Sequence, residues 1–313
     1  MHILNTLAPV FILIGLGAIL FKARFLSKEL VEGLTRLAYW VGLPCILFYK
    51  VASAHYDYSV AAKAYVIFLS GFVLSMLIAY IVAFAMKIPF NIIGTFVHGS
   101  FHANLSFVGF AVIVFHLANS GMTADRVNYI ESLAAIMMVL GVITNNIFAV
   151  TVLLISQHNF GFHSIGSVAK GLFTNPLIIA SILGIIYSAI FPYIPEALYI
   201  SFEAIGRLAL PAALLAIGAT LAQSKITANL TRAFAASIIK VGIAPLVGAA
   251  VACLIGLEKE YTMVSMVLLA CPTAVASFVV SSKLGGKPEL TTAIIVISTI
   301  LSIASLSIVL AIY

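Results

Sequence analysis

The chain has 313 residues, of which 63% are hydrophobic and only 8% charged, with mean hydropathy +1.20 and a formal net charge of +6. A soluble domain carries about 25% charged residues, so the composition excludes a water-soluble fold and makes the lipid bilayer the solvent. The basic residues form no dense run, which excludes nucleic acid as a partner.

A membrane-spanning helix needs ~20 apolar residues. By that rule ten spans are predicted, at 4–21, 30–54, 64–86, 88–117, 132–156, 176–191, 198–223, 233–257, 261–282 and 290–313. The runs are apolar throughout, where a β-barrel would alternate apolar and polar residues. No Lys or Arg precedes the first run, and Lys22 and Arg24 follow it. It therefore reads as a retained helix and not as a cleaved signal peptide. Asn175-Pro176 opens the sixth span, with proline in the first turn, where its missing N–H costs nothing. Gly285-Gly286-Lys287-Pro288 is a tight turn, and Pro288 starts the last helix.

The chain repeats itself. Pro9 and Pro176 stand 167 positions apart, as do Gly17 and Gly184, Leu43-Pro44 and Leu210-Pro211, and Leu47 and Leu214. Residues 1–156 form the first five-helix repeat and 174–313 the second, joined by a connector at 157–173 that holds Gly161, Gly166 and Gly171. Five spans is an odd number, so the second repeat is inverted relative to the first. The expected fold is an all-α polytopic membrane protein of five-plus-five inverted topology. Inverted repeats with interrupted helices mark secondary transporters.

Lys and Arg in short loops set orientation. One side receives Lys22, Arg24, Lys28, Lys87, Lys170, Lys225, Arg232, Lys283 and Lys287; the other receives only Lys50, Lys63, Arg126 and Lys259. The richer side is cytoplasmic, which places the connector inside and both termini outside. Cys45, Cys253 and Cys271 all fall within spans and fit neither a disulfide framework nor a zinc site. The chain shows no metal site and calls for no cofactor.

In hydrocarbon an unpaired backbone group is costly, so broken helices survive only where they line a cavity or the protein interior. Two stretches read as broken. From Gly99 to Gly109, small and polar residues cluster in mid-span. From Ala270 to Ser277, Pro272 removes a helical hydrogen bond. At the same spacing of 167, Asn104 aligns with Cys271 and Leu105 with Pro272. Pro44 and Pro211 mark further breaks, at matching positions. Two crossed half-helices bring their N-termini together, each with about half a positive charge, and so make a site for an anion.

The motifs Leu43-Pro44-x-x-Leu47-Phe48, Asn104-x4-Gly109, Asn175-Pro176-Leu177-Ile178, Pro211-x-x-Leu214-x-x-x-Gly218-x-x-Leu221 and Pro272-Thr273-Ala274-Val275 follow one another along nearly the whole chain. In that order the sequence resembles the auxin efflux carrier family, on its bacterial organic-acid permease branch. The resemblance implies a scaffold of helices 1, 2, 6 and 7, and a mobile elevator-type transport domain of helices 3–5 and 8–10. Helices 4 and 9 are then the crossed pair, and two copies dimerise through the scaffold. It places Asn104 at the substrate, with Ala103, Leu105, Phe107, Cys271, Pro272, Thr273 and Ser277 around it. The chain departs from the family at Ala111, where proline is frequent, and at Ala276, where bacterial relatives often carry asparagine. The long cytoplasmic loop of the large plant members is absent.

Three further residues could carry charge. His98 and His102 are four apart, on one helical face, and histidine titrates near neutrality, so the pair could couple substrate to protons. Lys240 lies mid-span, five residues before Pro245; a cation there costs at least ~2.5–3.5 kcal/mol on insertion scales. It serves as a counter-charge to substrate or as a tether to carbonyls freed by Pro245. Glu203 and Arg207 stand at i and i+4 and neutralise one another. Residues 88–117 and 261–282 hold no Asp or Glu, which favours an anionic or neutral substrate over a cation. The reading is a secondary transporter for a small organic acid in the inner or plasma membrane. The alternatives are a gated anion channel and an intramembrane enzyme, although the only Asp residues, Asp57 and Asp125, lie in loops.

Overall fold

A computed structural model of the chain describes residues 2–53, 57–157, 166, 173–191, 193–224 and 229–313. Of the expected connector at 157–173, all but Gln157, Gly166, Phe173 and its neighbours beyond lies outside the described residues. The described chain is helical. Its elements are α1 (His2–Lys22), α2 (Lys28–Leu37), α3 (Leu43–Ala52), α4 (Tyr58–Ala85), α5 (Phe90–Phe101), α6 (Phe110–Ala118) and α7 (Ala124–Ser156). Then follow α8 (Pro176–Ile190), α9 (Glu196–Gln223), α10 (Leu230–Ile238), α11 (Ala244–Ile255), α12 (Lys259–Ala270), α13 (Ala276–Lys283) and α14 (Pro288–Ile312). Three π-helical turns, Ala38–Gly42, Leu105–Gly109 and Ile239–Ile243, lie between α2 and α3, before α6, and between α10 and α11.

Among the described residues, seven helices are long and apolar enough to cross a membrane: Asn5–Lys22, Lys28–Ala52, Tyr58–Ala85, Ala124–Ser156, Glu196–Gln223, Leu230–Ile255 and Pro288–Ile312. Leu105–Ala118 and Pro176–Ile190 are shorter apolar helices. Large apolar side chains stand exposed along them, such as Ile12, Ile19, Ile81, Leu246 and Ile300. In water such a surface is a liability; in lipid it is the expected outer face.

Local sequence explains the helix ends. Asn175 accepts from the Leu177 N–H at 2.9 Å and caps α8, with Pro176 in its first turn as expected. Asn229 caps α10 through the Arg232 N–H at 3.2 Å. Gly256 closes α11 at φ 66°, a left-handed conformation that glycine adopts without strain. Pro288 opens α14.

Pro44 and Pro211 do not break their helices. Pro211 lies inside α9, which runs on through it. Pro44 sits in the first turn of α3, directly after a π-turn in which the Leu43 N–H bonds to the Ala38 carbonyl. Pro245 follows the second such turn, where the Ala244 N–H bonds to Ile239. A π-turn inserts one extra residue, so the chain passes the proline ring without ending the helix.

The chain divides into two compact units. The first comprises Met1–Ala61, Ser106–Val139 and Phe173–Gln223; the second comprises Ala62–Leu105, Leu140–Leu172 and Ser224–Tyr313. In the first unit α1 packs along α9, and α3 along α8. Gly17 and Gly184 make these approaches close: a Cβ at Gly17 would lie 2.0 Å from the Leu215 carbonyl oxygen, and one at Gly184 would lie 2.9 Å from that of Phe48. Phe48 and Leu215 are themselves 167 positions apart. The two close contacts thus stand 167 positions apart in both the glycine and the residue it meets. Glu203 and Arg207 pair at 2.9 Å on α9, as their spacing requires.

In the second unit α5 packs against α10, α13, α14 and the Ile239–Ile243 turn, and α12 packs against α11 and α14. Phe72 of α4 anchors the core between Phe101, at 4.8 Å between ring centroids, and Phe148, at 5.4 Å. The helices α5 and α12 have 12 residues each, about 18 Å at 1.5 Å per residue. Each is too short to cross a hydrocarbon core of ~30 Å, and both end deep in this unit.

Candidate functional site

The two short helices end where the sequence reads as broken. Pro272 has no N–H, so the Leu268 carbonyl loses the donor it would have in a continuous helix. The Cys271 thiol donates to that carbonyl instead, at 3.1 Å. The first break contains no proline and is held by the second. Ala103 and Thr273 form an antiparallel bridge, in which the Asn104 N–H donates to the Pro272 carbonyl at 2.8 Å and the Ala274 N–H to the His102 carbonyl at 2.9 Å. These reciprocal bonds match His102 with Pro272 and Asn104 with Ala274. The equivalence at the crossing is therefore 170 positions, three more than the spacing of 167 that aligns Asn104 with Cys271.

A helix leaves its last four carbonyls without intrahelical donors, and here they lie in the protein interior. Side chains supply the donors. The Thr273 hydroxyl donates to the Gly99 carbonyl, at 2.8 Å, in the last turn of α5. The Lys240 ammonium donates to the Leu269 carbonyl, at 2.5 Å, in the last turn of α12. Gly99 and Leu269 are again 170 positions apart. Equivalent carbonyls thus receive a neutral cap on one side and a cationic one on the other. The bridge itself is braced from both sides: Asn145 of α7 donates its amide N–H to the Ala103 carbonyl at 3.0 Å, and Ser298 of α14 accepts from the Thr273 N–H at 3.0 Å.

Lys240 is therefore tied to the end of a half-helix. The carbonyl that Pro245 frees, at Val241, is taken by the Ser305 hydroxyl. Lys240 is 1% exposed. His98 and His102 meet through Nε2 and Nδ1 at 3.0 Å, both buried.

Most of the expected contacts converge in this unit: Ala103, Asn104 and Leu105 of the first break, and Cys271, Pro272, Thr273 and Ser277 of the second. Ser277 is turned to its own chain, its hydroxyl donating to the Ala274 carbonyl. Phe107 is the exception. It belongs to the first unit, where its ring lies 6.4 Å from that of Tyr39. Asn104 is 5% exposed, and its side-chain amide has no hydrogen-bond partner among the described residues. Asn145 and Ser298 were not anticipated. Asn145 has a signal in the polar triplet Thr144-Asn145-Asn146 within an apolar span; a lone serine such as Ser298 has none. Among the described residues no three His, Cys, Asp or Glu side chains gather as a metal site would require.

The first unit holds a separate polar cavity of about 360 Å³, lined by Tyr49, Lys50, Ser53, Asp125, Asn128, Tyr129, Ser132 and Tyr199. Lys50 pairs there with Glu131 and donates to the Asn128 amide oxygen at 3.0 Å.

Residues 161–310 match the family model described as Membrane transport protein, that of the auxin efflux carriers. None of the curated proteins matches the chain.

Proposed function

We propose that this chain, an integral membrane protein with a Membrane transport protein domain over residues 161–310, carries a small organic acid anion across the cell membrane by alternating access. The anion binds at the crossing. The observation that carries the reading is the open amide of Asn104 beside a backbone bridge between two interrupted helices. From that bridge the chain enters Leu105–Ala118 on one side and α13 on the other. Their first turns carry N–H groups free of intrahelical partners and the positive ends of the helix dipoles. Lys240 adds a fixed cation to the same unit, and neither interrupted stretch, 88–117 or 261–282, contains Asp or Glu. A carboxylate fits this field, and a cation does not.

In this reading the protein has ten spans in a five-plus-five inverted repeat with both termini outside the cytoplasm. The helices that carry the crossing move as an elevator against a scaffold of helices 1, 2, 6 and 7, through which two copies pair. Support comes from the repeated glycine contacts and from the family resemblance.

The test is transport in proteoliposomes, with malate, malonate, citrate and an indole carboxylate offered in turn, by current and by labelled-substrate counterflow. Saturable transport of one acid, lost in Asn104→Ala with expression and melting intact, is expected. Wild-type rates in Asn104→Ala would overturn the assignment of the site.

A further inference from the structure

The histidines beside the crossing form a defined unit. A neutral imidazole has one N–H and one bare nitrogen, so the 3.0 Å contact between His98 Nε2 and His102 Nδ1 requires one ring to donate and the other to accept. If His98 donates, its Nδ1 is a bare lone pair, enclosed and without any hydrogen-bond partner. If His102 donates, the bare nitrogen is its own Nε2. One added proton converts both arrangements into the same species: an N–H at His98 Nδ1, one shared N–H···N contact, and an N–H at His102 Nε2. A second proton would set N–H against N–H and break the contact. The capacity of the pair is one.

We infer that His98 and His102 together bind a single proton that travels with the anion, one proton per carboxylate, an inference that rests on the anion site proposed above. The His102 carbonyl accepts from Ala274 within the bridge, and Asn104 is two residues away, so the pair is joined directly to the crossing. Lys240, from the turn packed against α5, is a fixed cation of the same unit, and a positive charge nearby disfavours a second one. Cys271 is the other ionisable group at that lysine. Of the other elements packed on α5, α4 carries Lys63 in its second turn, α7 carries Asp125, Arg126 and Glu131 near its start, α10 carries Arg232 in its first turn, α13 carries Lys283 in its last and α14 carries Glu289 in its first. A carboxylate at the crossing offsets Lys240 and makes the proton favourable; by reciprocity the proton then strengthens anion binding by the same factor.

The test is calorimetric titration of the purified full-length protein with the same four acids, in buffers of differing ionisation heat, which counts protons taken up per anion bound. Expected are about one proton per anion in the wild type and none in His98→Gln or His102→Gln, with an apparent Kd that weakens about tenfold per pH unit above the pair's titration in the wild type alone. Binding without proton uptake, or uptake that survives in both variants, overturns this inference and leaves the anion site standing. No binding of any of the four acids refutes the anion site, and the proton pair falls with it.

Discussion

Thr273→Val isolates one bond of the crossing. Valine matches threonine in shape, so the change removes the donor to the Gly99 carbonyl and little else. Gly99 is buried in the last turn of α5. A buried acceptor left without its donor costs about 1–3 kcal/mol, and the loss falls on the state in which the bridge is closed. Cys271 adjoins the bridge and is fully buried, so its thiol reports opening. In a Cys45→Ser, Cys253→Ser background it is the only thiol. With labelling slow relative to reclosing, its modification rate follows the open population, and 1–3 kcal/mol corresponds to a rise of about 5- to 150-fold. Thr273→Ser keeps the hydroxyl and loses one methyl, which costs about 0.8 kcal/mol, so its labelling rate stays within about fourfold of the parent. Equal rates for the valine variant and the parent, or equal rates for valine and serine, would show that this hydroxyl does not hold the crossing closed.

Gly17→Leu places a side chain where the Leu215 carbonyl would stand 2.0 Å from its Cβ; α1 must separate from α9, and melting in detergent should fall, whereas Gly15→Leu, which meets nothing within 4 Å, should melt like the wild type. Asn145→Leu removes the donor to the Ala103 carbonyl and should cost about 1–3 kcal/mol, read as a lower melting temperature; an unchanged one would remove Asn145 from the bridge. Glu131→Gln removes the carboxylate paired with the mostly buried Lys50 and should cost about 1–3 kcal/mol, part of which a second change, Lys50→Met, restores.

Seven of the ten expected spans were legible as long apolar helices, because lipid imposes length and apolarity on a crossing segment. The second break was legible because proline cannot donate at position 272. The first was visible only as a cluster of small and polar residues, and its geometry depends on a partner 170 positions away, which no local pattern encodes. The repeat spacing of 167 holds for Gly17, Gly184 and their contacts, yet it slips by three residues before the crossing. Loops absorb such insertions without consequence, so a spacing fixed in one part of the chain need not align another. Pro44 and Pro211 misled for a related reason. A proline demands that one hydrogen bond be given up, and a π-turn or a tolerant mid-span carbonyl meets that demand without a break. Phe107 stands apart from the other expected contacts because the chain from Ser106 packs with the first unit.

The unequal caps at Gly99 and Leu269 bear on function. A hydroxyl satisfies one of these equivalent carbonyls, so a carbonyl alone does not require a cation at the other. A cation in mid-span costs at least ~2.5–3.5 kcal/mol on insertion scales, at or above the top of the ~1–3 kcal/mol range for orphaning a neutral acceptor. Lys240→Met should therefore leave melting unchanged or raise it, because the relief of the buried charge exceeds the loss of the cap. A lysine kept at net expense to stability acts through its field, and in the proposed reading the group that gains from that field is an anion at Asn104. The same variant should then weaken binding of the transported acid while the fold persists. A Lys240→Met protein that melts early and binds the acid normally would reduce Lys240 to a structural tether.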